Sequence, residues 1–163
     1  AAVERPPWNG RRPSGGNAKS YYKPTETMEK KDYNALKTAK KSFDAWQRGE
    51  FTGDYTEFKE RLAPDFGLFA HPAKGRTIGE GAKDTILELI SEREKERNAL
   101  TFSSVTSFIT GKRVGFQFDA KGSIKNGRHP YDNYHLIVFE VDDVRDVVTG
   151  FSEYVGKMDQ NLV

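Results

Sequence analysis

The segment YDNYHLIVFEV, Tyr131 to Val141, puts Asp132 and His135 among hydrogen-bonding side chains at the head of an apolar strand. Two arrangements fit such a head. Either the strand leaves solvent there, or its head lines a polar spot inside a pocket. Side chains on a strand alternate between faces, so Asp132, Tyr134, Leu136 and Val138 share one side, and His135, Ile137 and Phe139 share the other. Both sides turn apolar toward the strand's end, which predicts a sheet covered on both faces there. Asp132 and His135 point in opposite directions and form no acid/base dyad without a bulge. Asp132 is alternatively a cap for the loop from Gly127 or a partner of Arg128. His71, directly before Pro72, is a further titratable candidate, because an unperturbed imidazole titrates near neutrality. Its alternative role is that of a turn histidine bonding a neighbouring carbonyl.

Other chemistries are poorly served. The chain has 163 residues and no cysteine, which excludes disulfides, thiolate catalysis and Cys-based metal sites. His129 and His135 lack the spacing of a helical ligand pair, and the carboxylates are scattered, so no metal is expected. The stretch GEGAKD, Gly79 to Asp84, lacks both the full dinucleotide fingerprint and a Walker lysine, so no cofactor is expected either. No run approaches the roughly 18 apolar residues that span a bilayer. Residues 1–31 hold seven basic against three acidic residues, and the remainder holds 19 against 21, so the basic excess sits at the N-terminus. A start at Ala1 without methionine suits removal of a targeting peptide or tag and does not indicate a compartment.

The elements that must position these groups read as one domain after an arm. Residues 1–31 carry scattered Pro and Gly with no hydrophobic period, which predicts an extended arm. Its Trp8, Tyr21 and Tyr22 are candidate anchors for a protein partner. From Asp32, the residues Tyr33, Leu36, Ala39, Phe43 and Trp46 recur at helical spacing up to Gly49. A short helix follows from Tyr55 to Leu62, closed by Pro64, and a third runs from Gly81 to Arg97 with Ala82, Ile86, Leu89 and Ile90 as its stripe. The charges of SEREKERN read as the solvated end of that helix. DFGLFAHP forms a short strand into a turn. After Asn98 the period becomes two, with strands over residues 100–110, 113–120, 131–141 and 144–154. Helices first and a meander second make an α+β pattern.

This order, with the cues WQRGEF, LAPDF, HP…GRTIGEGAKD, GRHPYDNYHLIVFEV and FSEYVGKMD, resembles the NTF2-like superfamily and its SnoaL-like or ketosteroid-isomerase-like group, over residues 32 to 160. The resemblance implies a cone: a curved antiparallel sheet packed against three N-terminal helices, with a mainly apolar pocket between them and a homodimer on the outer sheet face. It places the family's base position on His71 and its acid position on Asp132, kept neutral by burial. The helix tyrosine position falls on Ser42, a departure for which Tyr134 would supply a hydroxyl instead. It also implies that Tyr154 fills the cone and Glu153 lies outside. Phe43, Trp46, Phe66, Phe116, Phe118, Leu136, Val138 and Tyr154 are then the expected pocket lining.

The functional expectation is a domain binding a small hydrophobic ligand. It would act as a cofactor-independent isomerase, cyclase or dehydratase on a carbonyl compound, through His71, Asp132 and Tyr134. The alternative is a catalytically silent subunit or scaffold that docks into an assembly through its arm. Nucleic-acid binding has only the arm's charges behind it and ranks last.

Overall fold

The computed structural model describes residues 28–156. The arm and its proposed anchors Trp8, Tyr21 and Tyr22 lie outside them. The described elements run α1 (Lys30–Thr52), α2 (Thr56–Glu60), β1 (Leu68–His71), β2 (Gly75–Ile78), α3 (Ala82–Glu96), β3 (Ala99–Thr110), β4 (Arg113–Ile124), β5 (His129–Asp142) and β6 (Val147–Val155). The strands form one six-stranded sheet in the order β2-β1-β6-β5-β4-β3. The α+β architecture expected from the sequence is present, with three helices among the described residues and a curved, unclosed sheet. The sheet is mixed, because β1 runs parallel to β6 while its other pairings are antiparallel.

Several local features depart from the sequence reading: α1 continues past Gly49 to Thr52, and the last strand begins at Val147 rather than at residue 144. The segment after His71 turns back as β2, pairing Ala70 with Arg76 and His71 with Gly75. The hairpin between β4 and β5 is longer than the alternation suggested, since Lys121 to Ile124 continue to pair with Asp132 to His129. The edge strand β3 carries a bulge between Ser103 and Thr106, with Ser104 in the left-handed region at φ 54°. A bulge of this kind bends a strand and increases its twist, which helps to curl the sheet.

The inner face is aromatic. Phe43 of α1 stacks on Phe116 at 4.4 Å between centroids and meets Phe118 edge-on at 5.2 Å. Trp46 packs against Tyr55, Phe58 and Phe151. Val114, Phe116, Phe118 and Ala120 all face inward, as the alternation of β4 predicts. Of the expected pocket lining, Phe43, Trp46, Phe66, Phe116 and Phe118 are buried parts of this core.

The outer-face assignments need correction. On β5 the inward set is Ile137, Phe139 and Val141, so Leu136 and Val138 lie on the other side, half-buried. The register pairs Ile137 with Glu153 and Phe139 with Phe151, so odd-numbered β6 residues follow odd-numbered β5 residues inward. Glu153 is therefore inside at 4% exposure, and Tyr154 is outside at 53%, the reverse of the expectation.

One glycine decides a packing contact. A Cβ on Gly49 would stand 2.2 Å from the ring of Tyr55. Gly-to-Ala inside a helix ordinarily stabilises by about 1 kcal/mol. Here the ring is locked in the core, so overpacking outweighs propensity. Gly49→Ala is expected to lower stability by about 1–3 kcal/mol, read as a reduced urea midpoint.

Candidate functional site

Three adjacent strands bring two imidazoles to one carboxylate. β6 lies between β1 and β5, so Glu153 on the middle strand has His71 on one side and His135 on the other. Glu153 Oε1 is 3.1 Å from His71 Nε2, and its Oε2 is 2.8 Å from His135 Nδ1. All three side chains are buried. His135 lies on the ring of Phe118 and His71 is stacked with Phe69, which fixes the two imidazole planes.

The proton positions follow from the partners. The backbone N–H of Ala73 donates to His71 Nδ1 at 3.0 Å, so that nitrogen offers a lone pair and the ring proton sits on Nε2, facing Glu153. An ionised carboxylate only accepts, so His135 donates from Nδ1 as well. His135 Nε2 is then free to accept from the Tyr131 hydroxyl at 2.8 Å. Burial alone would raise the Glu153 carboxyl, yet the bonds from His135 and His71 hold it down to about 2. Tyr131 moves the opposite way, to about 12, through burial and the nearby Glu153 charge, so its phenol stays protonated at neutral pH.

A second cluster joins this one through Arg93. Its Nη1 donates to both oxygens of Glu50 at 2.8 Å, and its Nη2 lies 3.3 Å from His71 Nε2. Glu50 also accepts from the Tyr55 hydroxyl and from Asn98 Nδ2 at 3.4 Å. Burial and the Glu50 charge push the Tyr55 phenol up, so it too remains a donor. Desolvation opposes the Arg93 charge, but the Glu50 and Glu153 carboxylates and Tyr55 together more than offset it and raise its basicity. Solvent reaches this assembly at its rim, where the Arg93 side chain is 22% exposed and Tyr131 is half-buried.

His71 is thus part of the assembly, with both ring nitrogens engaged. Asp132 and Tyr134 are not. They sit on the outer face of β5, Asp132 exposed and the Tyr134 ring lying over Gly156. The expected burial that would keep Asp132 neutral is absent, because strand parity sends it away from His135. Ser42 also faces elsewhere: it donates to Thr38 O and accepts from Arg61 Nε at 2.8 Å, within a clamp closed by Asp146. His129 is exposed on the first residue of β5. Two surface grooves lie apart from the assembly, one between Phe51 and Leu100 and one beside Pro64 and Gly81.

The missed members carried a signal. Glu50 follows Phe43 by seven residues and Trp46 by four, and Arg93 follows Ile86 by seven and Leu89 by four, so each charge continues an apolar helical stripe. A charge in such a place is buried and needs a partner.

The depressed Glu153 carboxyl links stability to acid. Because its folded value, about 2, lies below its ordinary 4.5, its stabilisation is fully present above that ordinary value and is lost as pH falls toward 2. That loss is on the order of 3 kcal/mol. Urea unfolding from pH 6 down to pH 2.5 is expected to show a steeper decline for the unaltered protein than for Glu153→Gln, which has no proton to take up there.

No protein-family model and no curated protein matches the sequence. Solved structures do. An NTF2-like protein from Anabaena variabilis is similar with a TM-score of 0.67 at 26% identity, over 80% of this chain and 96% of that one. A candidate polyketide cyclase from Silicibacter sp. is similar with a TM-score of 0.59 at 14% identity, over 78% and 93%. A candidate SnoaL-like polyketide cyclase from Shewanella putrefaciens gives 0.57 at 14%, over 90% and 92%. With its mixed sheet, its covering helices and these neighbours, the chain has the NTF2-like fold.

Proposed function

We propose that the protein binds a small hydrophobic carbonyl compound at the rim of the buried assembly and moves a proton on it without a cofactor, as an isomerase, cyclase or dehydratase. The observation that supports this reading is the Tyr131–His135–Glu153 series, a half-buried hydroxyl on an imidazole that is itself held by a buried, ionised carboxylate. This is the arrangement that activates a weak hydroxyl: the imidazole takes its proton and the carboxylate stabilises the imidazolium. As a substrate C–H bond breaks, its proton passes to the Tyr131 oxygen while the hydroxyl proton moves to His135 Nε2. The electron pair left on carbon delocalises to the carbonyl oxygen as an enolate. Reprotonation at another carbon, or loss of a leaving group, completes the reaction and returns the proton from His135. His71 acts here as a positioning residue, since its fixed tautomer orients Glu153.

The test is exchange of α-protons for deuterium, followed by NMR in heavy water over a panel of aryl and cyclic ketones. At least one ketone is expected to exchange faster than the solvent blank, and Tyr131→Phe is expected to slow it by about a hundredfold or more. Exchange no faster than the blank across the panel, or equal exchange by Tyr131→Phe, sinks the reading.

A second reading is a catalytically silent subunit that docks through its N-terminal arm. The dense aromatic filling by Phe43, Trp46, Phe58 and Phe151 favours it, since these side chains occupy the apolar half of the interior. Removing residues 1–31 would then abolish co-purification with partners while the thermal melt of the domain stays cooperative.

A further inference from the structure

The contact between Arg93 and His71 is a mismatch. His71 Nε2 carries the ring proton, because Nδ1 accepts from Ala73 N–H and Nε2 faces the ionised Glu153. A guanidinium nitrogen also has only N–H bonds to offer. The 3.3 Å approach of Arg93 Nη2 to that Nε2 therefore sets donor against donor. Among the described residues, the polar atom within hydrogen-bonding range of Nη2 is this one. Nη1, by contrast, is anchored on both oxygens of Glu50, so the fork is held in place with its other tooth unmatched. Arg93 is partly open to solvent and Tyr131 is half-buried, and the guanidinium charge reaches the phenol.

We propose that Arg93 Nη2 is the binding group for a ligand oxygen that carries or develops negative charge: the enolate oxygen of a carbonyl substrate, or a phenolate of the same planar shape. The assignment rests on the proton-moving role proposed above for its chemistry, but the binding itself is separable. A neutral phenol entering the site loses its O–H proton to the Tyr131–His135 pair, and its oxygen, now anionic, accepts an N–H of Arg93 Nη2. The charge balance is that of enolisation: one proton gained by the relay, one negative charge placed on the guanidinium. No metal or co-reactant is required. A preorganised donor aimed at developing charge is worth more here than in water, because Glu50 holds the guanidinium before the ligand arrives.

The probe is 4-nitrophenol, whose phenolate absorbs in the violet and whose neutral form does not. Titrated into the protein at a pH where the free probe is mostly neutral, it is expected to bind with the phenolate spectrum. Arg93→Gln alone strands the Glu50 carboxylate, so the comparison is Glu50→Gln, which keeps the guanidinium, against Glu50→Gln/Arg93→Gln, which removes both charges. The double variant is expected to bind the phenolate at least about tenfold more weakly than the single one. In the unaltered protein the Arg93 side-chain nitrogen resonances are expected to shift on probe addition, a readout that survives any failure of the double variant to fold. Equal binding by the two variants, a bound probe with the neutral spectrum, no binding, or unmoved Arg93 resonances would each overturn the assignment. Arg93-dependent phenolate capture without ketone exchange would defeat the relay reading and leave this one standing. Ketone exchange with no Arg93-dependent capture would do the reverse.

Discussion

The interior of this protein is organised around one charge that water does not reach. Glu153 is ionised in a place where an isolated carboxylate would be neutral, and it is tolerated because an imidazole N–H meets each of its oxygens. That requirement reaches into the topology. The two histidines come from strands on opposite sides of β6, one parallel to it and one antiparallel, so neither hairpin alone assembles the site. The β1–β6 pairing sets Ala70 beside Ser152, and the next step along both strands brings His71 beside Glu153. A slip of one residue in either register would turn a charged group onto an aromatic face or out to solvent.

The helices reach the same cluster by a different rule. Each runs an apolar stripe along its buried face and finishes it with a charge: Phe43 and Trp46 lead to Glu50, and Ile86, Leu89 and Ile90 lead to Arg93. The two charges find one another across the interior. Aromatic side chains supply much of the burial, and the polar cluster packed against them is specified by hydrogen-bond matching. Removing one partner from the polar cluster strands the other, and breaking a buried pair in that way typically costs about 3–5 kcal/mol. The cluster therefore constrains the fold even if no ligand ever reaches it.

The sequence disclosed the architecture more readily than the chemistry. Helical and two-residue periods located the three helices and the four long strands, because amphipathic spacing is a local property of the chain. The short strand β2 was hidden in a Pro- and Gly-rich turn, where pairing rather than pattern makes the strand. At the site, parity correctly separated Asp132 from His135 but did not say which face was inside. The choice depended on the β5–β6 register, a long-range fact that placed Glu153 opposite Ile137 and sent Asp132 and Tyr134 outward. Arg93 was legible as a charge on an apolar stripe, yet SEREKERN reads as a solvated run because most of its other charges are exposed, and Glu50 lies just past Gly49, where the sequence placed the helix end. His71 was legible through its position before Pro72. Its saturation by Ala73 and Glu153 was not, since hydrogen-bond partners two residues and more than eighty residues away have no common local signature.

The hydrogen bonds also have a direction, and the direction locates where the assembly meets the outside. Starting from the Ala73 amide, each donor in turn is fixed: Ala73 N–H to His71, His71 to Glu153, His135 to Glu153, and Tyr131 to His135. The carboxylate is the sink toward which both arms point. On the His71 arm the series ends in backbone, which exchanges no proton with a ligand. On the His135 arm it ends in a half-buried phenol at the rim, whose oxygen also interacts with the Asn133 side chain. Among the described residues, Tyr131 is therefore where this series of hydrogen bonds meets the rim. Arg93, the other member open to solvent, holds no proton it can give up. The two half-buried members differ in kind: the phenol can exchange a proton, whereas the guanidinium only holds charge.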